Sequence, residues 1–238
     1  MHYSMKGALG ALAVAMIVPQ AAMAADMAVK ASPRMAVAAP WTGFYAGVNV
    51  GYGWAHESTD VSPAGVVLGS FSNNMRGVVG GGQLGYNWQF GTWVAGLETD
   101  LQFSGQRNSS TDIIGPTTFA HTDKITWFGT TRARLGALIM PATLLYGTGG
   151  LAYAGMKSDG TLTAAGPGTV AFSNSTTKTG WTLGAGIEGM MAANWSWKVE
   201  YLYMSFPSFT TNAPVGFTGT SSTKVTDNVL RVGFNYHF

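Results

Sequence analysis

The stretch WTGFYAGVNVGYGWA, residues 41 to 55, alternates between two kinds of side chain with a period of two. One set is apolar and ends in aromatic rings: Phe44, Ala46, Val48, Val50, Tyr52 and Trp54. The other set is glycine, tyrosine or asparagine: Gly43, Tyr45, Gly47, Asn49, Gly51 and Gly53. Because side chains alternate across a β-strand, the stretch predicts a strand with one apolar face and one small or polar face. The pattern alone leaves open which face is buried.

The composition narrows the class of protein. Only 10% of the 238 residues are charged, against about 25% in an ordinary soluble domain. The chain has 33 glycines and no cysteine, which excludes a disulfide framework and thiolate metal sites. The formal net charge is +2, and the lysines and arginines are scattered without forming a basic stripe. This distribution argues against nucleic acid as a partner.

The first 24 residues have the pattern of a secretory signal peptide. Lys6 precedes an apolar run over residues 7–18, and Ala22-Met23-Ala24 has the small-residue order expected before a signal peptidase cut. A membrane-anchoring helix is the alternative, but the run is shorter than the ~20 residues that a spanning helix needs. Residues 25–40 are rich in alanine and proline without a period, which predicts a periplasmic N-terminal leader.

From residue 41 onward the period of two recurs in eight segments. The predicted strands are 42–55, 76–90, 92–105, 124–139, 143–157, 178–192, 195–206 and 226–238. Tight turns alternate with four long segments rich in Ser, Thr, Asn and Gly, namely 56–75, 106–123, 158–177 and 207–225. This pattern predicts an all-β fold over residues 41–238, an eight-stranded antiparallel up-and-down transmembrane β-barrel. Its location would be the outer membrane of a Gram-negative bacterium, with both termini in the periplasm.

The two tightest hairpins predict the strand register. A two-residue turn at Gly91-Thr92 places Phe90 opposite Trp93 and, further along, Gln83 opposite Asp100. A three-residue turn over 192–194 places Glu188 opposite Lys198. Both registers therefore keep apolar side chains opposite apolar ones and polar side chains opposite polar ones.

Eight charged residues share the small or polar face of the predicted strands. They are Glu98, Asp100, Arg132, Arg134, Glu188, Lys198, Glu200 and Arg231. An Arg or Lys on the lipid side at this height would cost roughly 2 to 4 kcal/mol, so we expect an inward, mutually compensating structural cluster. In the alternative, a soluble sandwich, this face would be solvated. Against that, the Trp and Tyr residues concentrate at strand ends, as in the two aromatic rings of a membrane barrel.

Several motifs resemble a known family. GGGQLGYNWQFG, YGTGGLAYA, GWTLGAGIEGMMAANWSWKVEYLYMSF and the ending NVLRVGFNYHF look like the alphaproteobacterial outer membrane immunogenic proteins, a group of small porin-family barrels. The resemblance implies an eight-stranded barrel whose relatives are described as porins, structural envelope proteins or haem binders. Phe238, with Tyr236 and Phe234 before it, resembles the signal read by the barrel assembly machinery. The predicted partners are that machinery, outer-membrane lipid and lipopolysaccharide.

The function follows from the width of the barrel. Eight strands enclose an interior that side chains fill, so we expect a largely plugged lumen and a structural, surface-display role. Inward glycines argue partly for a narrow water path, which keeps a narrow porin for small solutes as an alternative. A further alternative is binding of haem or a host factor through the long loops, with His56 and His121 as candidate haem ligands.

Catalysis is the third class of function. Ester hydrolysis needs a serine activated by a histidine and oriented by a third group. The sequence has no Gly-x-Ser-x-Gly motif and no His-x-x-x-His spacing. We therefore predict that the protein is not an enzyme and that it holds no cofactor and no metal.

Overall fold

The computed structural model describes residues 41–62, 69–114, 117–163, 168–212 and 220–238. These residues form eight antiparallel strands. They are β1 (Gly43–Ser62), β2 (Gly69–Phe90), β3 (Trp93–Ile114), β4 (Thr117–Met140), β5 (Thr143–Thr163), β6 (Thr169–Met190), β7 (Trp195–Asn212) and β8 (Thr220–His237). Each strand pairs with the next, and β8 pairs with β1 to close the barrel. The eight-stranded antiparallel barrel is therefore confirmed.

Two predictions on the N-terminus fall outside the described residues. These are the signal peptide at 1–24 and the periplasmic leader at 25–40. In the part of the chain that the structure describes, no helix is long and apolar enough to cross a membrane.

Both predicted hairpin registers are confirmed. Phe90 lies opposite Trp93 and Gln83 opposite Asp100, and Glu188 lies opposite Lys198. Gly91 has a φ of 63°, in the left-handed region that favours glycine, and this conformation allows the two-residue turn. The end of the barrel that carries these tight turns also carries the start of β1 and the end of β8. We call it the turn end.

The four long polar segments are mostly strand, so their prediction as loops is wrong. In place of a loop over 56–75, β1 continues to Ser62 and β2 begins at Gly69. Hydrophobic alternation stops where lipid contact stops, but the backbone hydrogen bonds of an antiparallel ladder do not depend on apolar side chains. Threonine, frequent in these segments, also favours strands. The barrel wall therefore continues beyond its apolar band as a polar extension, and we call this end the extension end.

The outer face is apolar between two sets of exposed rings. Exposed aromatic side chains at the turn end are Phe44, Trp88, Phe90, Trp93, Trp195 and Phe238, and those towards the extension end are Trp54, Phe103 and Trp181. Smaller apolar side chains such as Val48 and Leu97 are exposed between them. On β5, Leu145 and Leu151 are exposed on the outer face, while Leu144 and Ala152 are buried.

The interior of the barrel is layered along its length. At the turn end, Trp41, Val94 and Leu144 are buried together. The charged side chains follow, and beyond them lies an apolar layer of buried residues. This apolar layer consists of Ala55, Met75, Val79, Ile125, Phe128, Ala152, Ala154, Leu202, Met204, Phe206, Val225 and Val229.

Candidate functional site

The eight charged residues of the polar face lie together inside the barrel, and we call them the charged layer. Five strands supply them: Glu98 and Asp100 from β3, Arg132 and Arg134 from β4, Glu188 from β6, Lys198 and Glu200 from β7, and Arg231 from β8. None is more than 4% exposed. Strand alternation places the pairs on β3, β4 and β7 on one face, because the two members of each pair are two residues apart. Glu188 and Arg231 share that face because they lie directly opposite Lys198 and Glu200.

Glu98 is the centre of the charged layer. Its carboxylate accepts hydrogen bonds from the Lys198 ammonium, with Nζ 2.9 Å from Oε2, and from the Arg132 guanidinium. Glu98 is on β3 and Lys198 on β7, four strands apart around the ring. Their contact therefore crosses the interior rather than running along one wall.

The remaining charges alternate in sign around this centre. Arg231 donates to Glu200 at 2.6 Å and to Asp100 at 2.9 Å. Arg132 also contacts Asp100 at 3.0 Å and Glu200 at 3.1 Å. Four acids and four bases give a formally neutral cluster, which satisfies the requirement that buried charges be paired.

A second part of the charged layer lies nearer the turn end. Arg134 donates to Glu188 at 2.6 Å, and its guanidinium lies 4.0 Å from the centre of the Tyr146 ring. Ser196 and Asn235 donate to Glu188 as well, at 2.6 and 2.7 Å. Arg134 reaches Glu98 at 3.8 Å, so all eight predicted residues belong to one network.

Sequence reasoning missed two tyrosines of this network. The Tyr45 hydroxyl donates to Glu98 at 2.8 Å, and the Tyr146 hydroxyl donates to Glu200 at 2.9 Å. Their rings occupy the space beside inward glycines: a Cβ at Gly85 would overlap the Tyr45 ring, and one at Gly186 would lie 2.6 Å from Tyr146 Cζ. At these two glycines the expectation of room for water is therefore wrong. Strand alternation could have identified them, because both tyrosines lie at positions whose side chains point into the barrel.

The apolar layer was also missed. Its members on β7 are Leu202, Met204 and Phe206, which continue the inward series of Lys198 and Glu200 at steps of two. The types of these three side chains suit lipid, but alternation counted from the charged residues places them inside. The inner face of the barrel is therefore polar in the charged layer and apolar in the layer beyond it.

Beyond the apolar layer, at the extension end, lies a cavity of about 310 Å³ that we call the vestibule. Met75, Met156 and Val225 contribute apolar lining, and Glu57, Asp123 and Lys178 contribute charge. Burial raises the pKa of the Glu57 carboxyl, and the nearby Asp123 carboxylate raises it further. The vestibule thus combines an apolar part with mixed charges.

The two candidate haem ligands lie elsewhere. His56 is exposed and is not part of the vestibule lining. Its Nδ1 lies 3.0 Å from Asn74 Oδ1, and Ser58 Oγ lies 3.2 Å from its Nε2. His121 lies 3.7 Å from Asp123 and lines a separate surface depression. Within the described ranges, no group of three or more His, Cys, Asp or Glu residues could hold a metal ion.

The residues of the predicted assembly signal lie on the outside of β8. Phe234, Tyr236 and Phe238 are all exposed. The Phe238 N–H donates to the Phe44 carbonyl at 2.9 Å, and the Tyr236 ring packs against Trp195 with centroids 5.2 Å apart. The last strand is therefore fixed to both of its neighbours at the turn end.

A protein-family model, the outer membrane protein β-barrel domain, matches residues 10–238. The chain belongs to this outer-membrane β-barrel family. The chain is 40% identical over 237 residues to the 31 kDa outer-membrane immunogenic protein of Brucella melitensis, with 94% of this chain and 97% of the relative covered. The 22 kDa outer membrane protein of Rhizobium leguminosarum is 31% identical over 84% of this chain and 80% of its own length.

Among solved structures, the outer membrane protein OprG from Pseudomonas aeruginosa is similar, with 12% identity and a TM-score of 0.46 over 84% of this chain and 99% of that one. The family model and the two relatives confirm the family resemblance seen in the sequence motifs. The protein is an outer-membrane β-barrel protein of a Gram-negative bacterium. The names of its two relatives state location and, for one, antigenicity.

Proposed function

We propose that this barrel has a structural role in the outer membrane and displays its extension end at the cell surface, with a lumen plugged by its own side chains. The contact between Glu98 and Lys198 across the interior, at 2.9 Å, is the observation that carries this proposal. An eight-stranded barrel leaves little room around such a contact. The apolar layer on one side and Trp41 on the other, both buried, support the same conclusion.

Planar-bilayer recording of the refolded protein tests the plugged lumen. We expect no steady steps on the nanosiemens scale, and a wide general porin recorded in the same bilayers provides the positive control. Reproducible nanosiemens openings would contradict the proposal, because a path that wide requires the charged layer to be displaced.

A narrow porin is the second candidate, and two buried amides favour it. Neither the Asn87 nor the Gln102 side chain has a hydrogen-bond partner among the described residues, although both are 0% exposed. Buried polar groups that lack a partner in the protein are usually satisfied by ordered water. Water beside these amides would support only a very small conductance. Steps on the picosiemens scale that disappear in Gln102→Leu would favour this candidate.

Ligand binding at the extension end is the third candidate. The vestibule, with its apolar lining and the charged residues Glu57, Asp123 and Lys178, supports binding of a small amphiphile more than it supports haem, because neither His56 nor His121 lines it. A haem titration of the refolded protein tests the haem alternative. We expect no shift of the Soret band, and a saturable shift lost in His121→Ala would contradict that expectation.

We infer that the protein is not an enzyme. The chain of contacts from Ser58 through His56 to Asn74 has the order of nucleophile, base and orienting group, but His56 and Asn74 are exposed on the outer wall. Polar side chains that are exposed on neighbouring strands often form such hydrogen bonds without having any catalytic role. Phospholipid hydrolysis by wild type and by Ser58→Ala is the test. We expect neither to exceed protein-free vesicles, and hydrolysis present in wild type but absent from Ser58→Ala would contradict the inference.

We also propose that Phe234, Tyr236 and Phe238 are read by the barrel assembly machinery. Their exposure along one edge of the last strand supports the proposal, since a receptor can contact them before the barrel closes. Removal of Phe238 should slow the appearance of folded barrel in cells. Refolding of the same variant into pure lipid vesicles should proceed at nearly the wild-type rate, and an equal loss in both assays would contradict a receptor-read role.

A further inference from the structure

Two arginines lie opposite each other on the outside of the barrel, just beyond the band of exposed apolar residues. Arg76 on β2 pairs in register with Arg107 on β3, and both side chains are exposed. Arg76 is also directly opposite Trp54 on β1, one of the exposed rings towards the extension end. We call Arg76 and Arg107 the outer arginine pair. Its position corresponds to the headgroup level of the outer leaflet.

The outer arginine pair is unfavourable in the protein alone. Like charges directly opposite in an antiparallel pair destabilise the sheet. Across the described part of the chain, neither guanidinium has an ion pair with a carboxylate, while Lys124 and Lys157 nearby both pair with Asp159. The two arginines therefore present ten N–H donors and two uncompensated charges to whatever lies outside the wall.

The wall beside the pair has a groove that leads into the lipid region. Two register shifts lie here, one between Phe103 and Gln106 in the pairing of β3 with β4 and one between Ile125 and Trp127 in the pairing of β4 with β5, and such bulges redirect side chains. A cavity of about 480 Å³ is lined by Leu101, Phe103, Thr126 and Trp127, and its lining is almost wholly apolar.

A second cavity of about 460 Å³ continues the groove upward. Its lining includes Val78, Gly105 and Arg107, and it shares Thr126 with the lower cavity. The groove thus runs from an apolar part between two aromatic rings to a cationic end at Arg107. An occupant that matches both ends has a hydrocarbon chain below and an anionic group above.

We propose that the outer arginine pair holds a phosphate group of an outer-leaflet lipid, whose acyl chain lies in the groove between Phe103 and Trp127. Guanidinium groups bind phosphate through paired N–H donors with matching geometry, and one shared phosphate would compensate both charges. The proposal depends on the placement of the exposed rings at the membrane surface, which is part of the proposed function. It does not depend on whether the lumen is plugged, so bilayer recording and the experiment below can fail independently.

The probe is bis-phosphorylated lipid A, the phosphate-bearing membrane anchor of lipopolysaccharide, and dephosphorylated lipid A is the matched control. Wild type is purified in a zwitterionic detergent and titrated with each lipid, and the retained lipid is counted by native mass spectrometry. We expect wild type to retain the phosphorylated lipid at a concentration at least tenfold lower than the dephosphorylated one. Equal retention of the two lipids would overturn the proposal.

Substitutions of the two arginines test whether the lipid binds at this site. Arg76→Gln and Arg107→Gln should each weaken retention of the phosphorylated lipid, and the double variant should abolish the preference. Lys224→Gln, which removes one positive charge from another exposed position, should leave retention unchanged. An equal loss in Lys224→Gln would indicate attraction by net charge alone and would overturn the assignment.

A stability measurement excludes simple misfolding. Because Arg76→Gln/Arg107→Gln relieves a like-charge contact, its urea midpoint in zwitterionic vesicles should equal or exceed that of wild type. Phosphorylated lipid A should raise the wild-type midpoint and leave the double variant unchanged. Inorganic phosphate distinguishes a lipid site from a site for a soluble anion: displacement of the lipid by millimolar phosphate would overturn the lipid assignment.

Discussion

Glu98 makes more ionic contacts than a single charge usually does in a protein interior. It contacts Lys198, Arg132, Arg134 and Arg231. Replacement by glutamine leaves these bases with one counter-charge fewer in a buried site. Breaking a buried ion pair from one side costs roughly 3 to 5 kcal/mol, whereas replacing both partners is far better tolerated.

We therefore expect Glu98→Gln to lower the free energy of unfolding by a few kcal/mol, and Glu98→Gln/Lys198→Met to recover most of the loss. Urea titration in lipid vesicles, followed by tryptophan fluorescence, measures both. Thr99→Val, at the adjacent outward position, is the control and should stay near wild type. If Glu98→Gln unfolds at the wild-type urea concentration, the charged layer is more hydrated than its contacts indicate.

Asp159 shows the opposite situation, a charge at the accessible extension end. Hydrogen bonds from Ser173 and Lys124 lower the pKa of its carboxyl to about 2, and the Ser173 hydroxyl lies 2.7 Å away. A carboxyl with a lowered pKa stabilises the folded state above its unfolded pKa of about 3.9. That contribution is lost as the pH falls through the folded value.

The side-chain carboxyl carbon of Asp159 should thus titrate near pH 2 by nuclear magnetic resonance. Ser173→Ala should move the midpoint towards 3.9, because it removes the largest cause of the shift. Ser175→Ala, two residues along the same strand, should leave the midpoint where it is. A midpoint near 3.9 in wild type would mean that the contact between β5 and β6 does not form in solution.

At the scale of one strand, β2 shows that the outer and inner faces of the barrel differ in how well they accommodate a larger side chain at a glycine. Gly82 points outward, and a Cβ there would meet its nearest atom, the Gly47 carbonyl oxygen, at 3.6 Å. Gly85 points inward, where a Cβ would overlap the Tyr45 ring. We expect Gly85→Ala to displace that ring from Glu98 and to cost about 1 to 3 kcal/mol, the range for an overpacked interior.

Gly82→Ala should fold with wild-type stability. Both variants can be compared by urea midpoint and by the temperature at which the barrel loses its folded mobility on gels. Equal behaviour of the two variants would show that the interior beside Tyr45 has spare volume, and the plugged lumen would lose one of its supports.

The same strand shows what sequence can and cannot predict. Its register with β3 followed from one glycine turn, since a single tight turn fixes every later pair of an antiparallel ladder. Its upper limit at Gly69 did not follow, because between Gly69 and Arg76 only Phe71 and Met75 are apolar, which is too few to show an alternation. Strand pairing in this segment depends on backbone hydrogen bonds and on the neighbouring strand. The sequence of the segment by itself says little about either of them.

At the scale of the molecule, the charged layer could be predicted because charge is scarce in this chain. Eight ionised residues with one parity leave few arrangements in a membrane, whereas the tyrosines and the apolar layer have types that suit lipid equally well. Only their positions relative to the charges distinguish inside from outside. The orientation of the barrel is a further property of the whole molecule, since it follows from the tight turns, the start of β1 and the end of β8 all lying at one end.

This orientation can be tested with single cysteines, because the chain has none of its own. Thr92→Cys lies in the exposed turn between β2 and β3, and Ser72→Cys is exposed in the polar extension of β2. With the turn end in the periplasm, a polyethylene-glycol maleimide too large for general porins should label Ser72→Cys on intact cells. It should label Thr92→Cys only after the outer membrane is permeabilised. Labelling of Thr92→Cys on intact cells would reverse the orientation, and with it the level at which the outer arginine pair meets lipid.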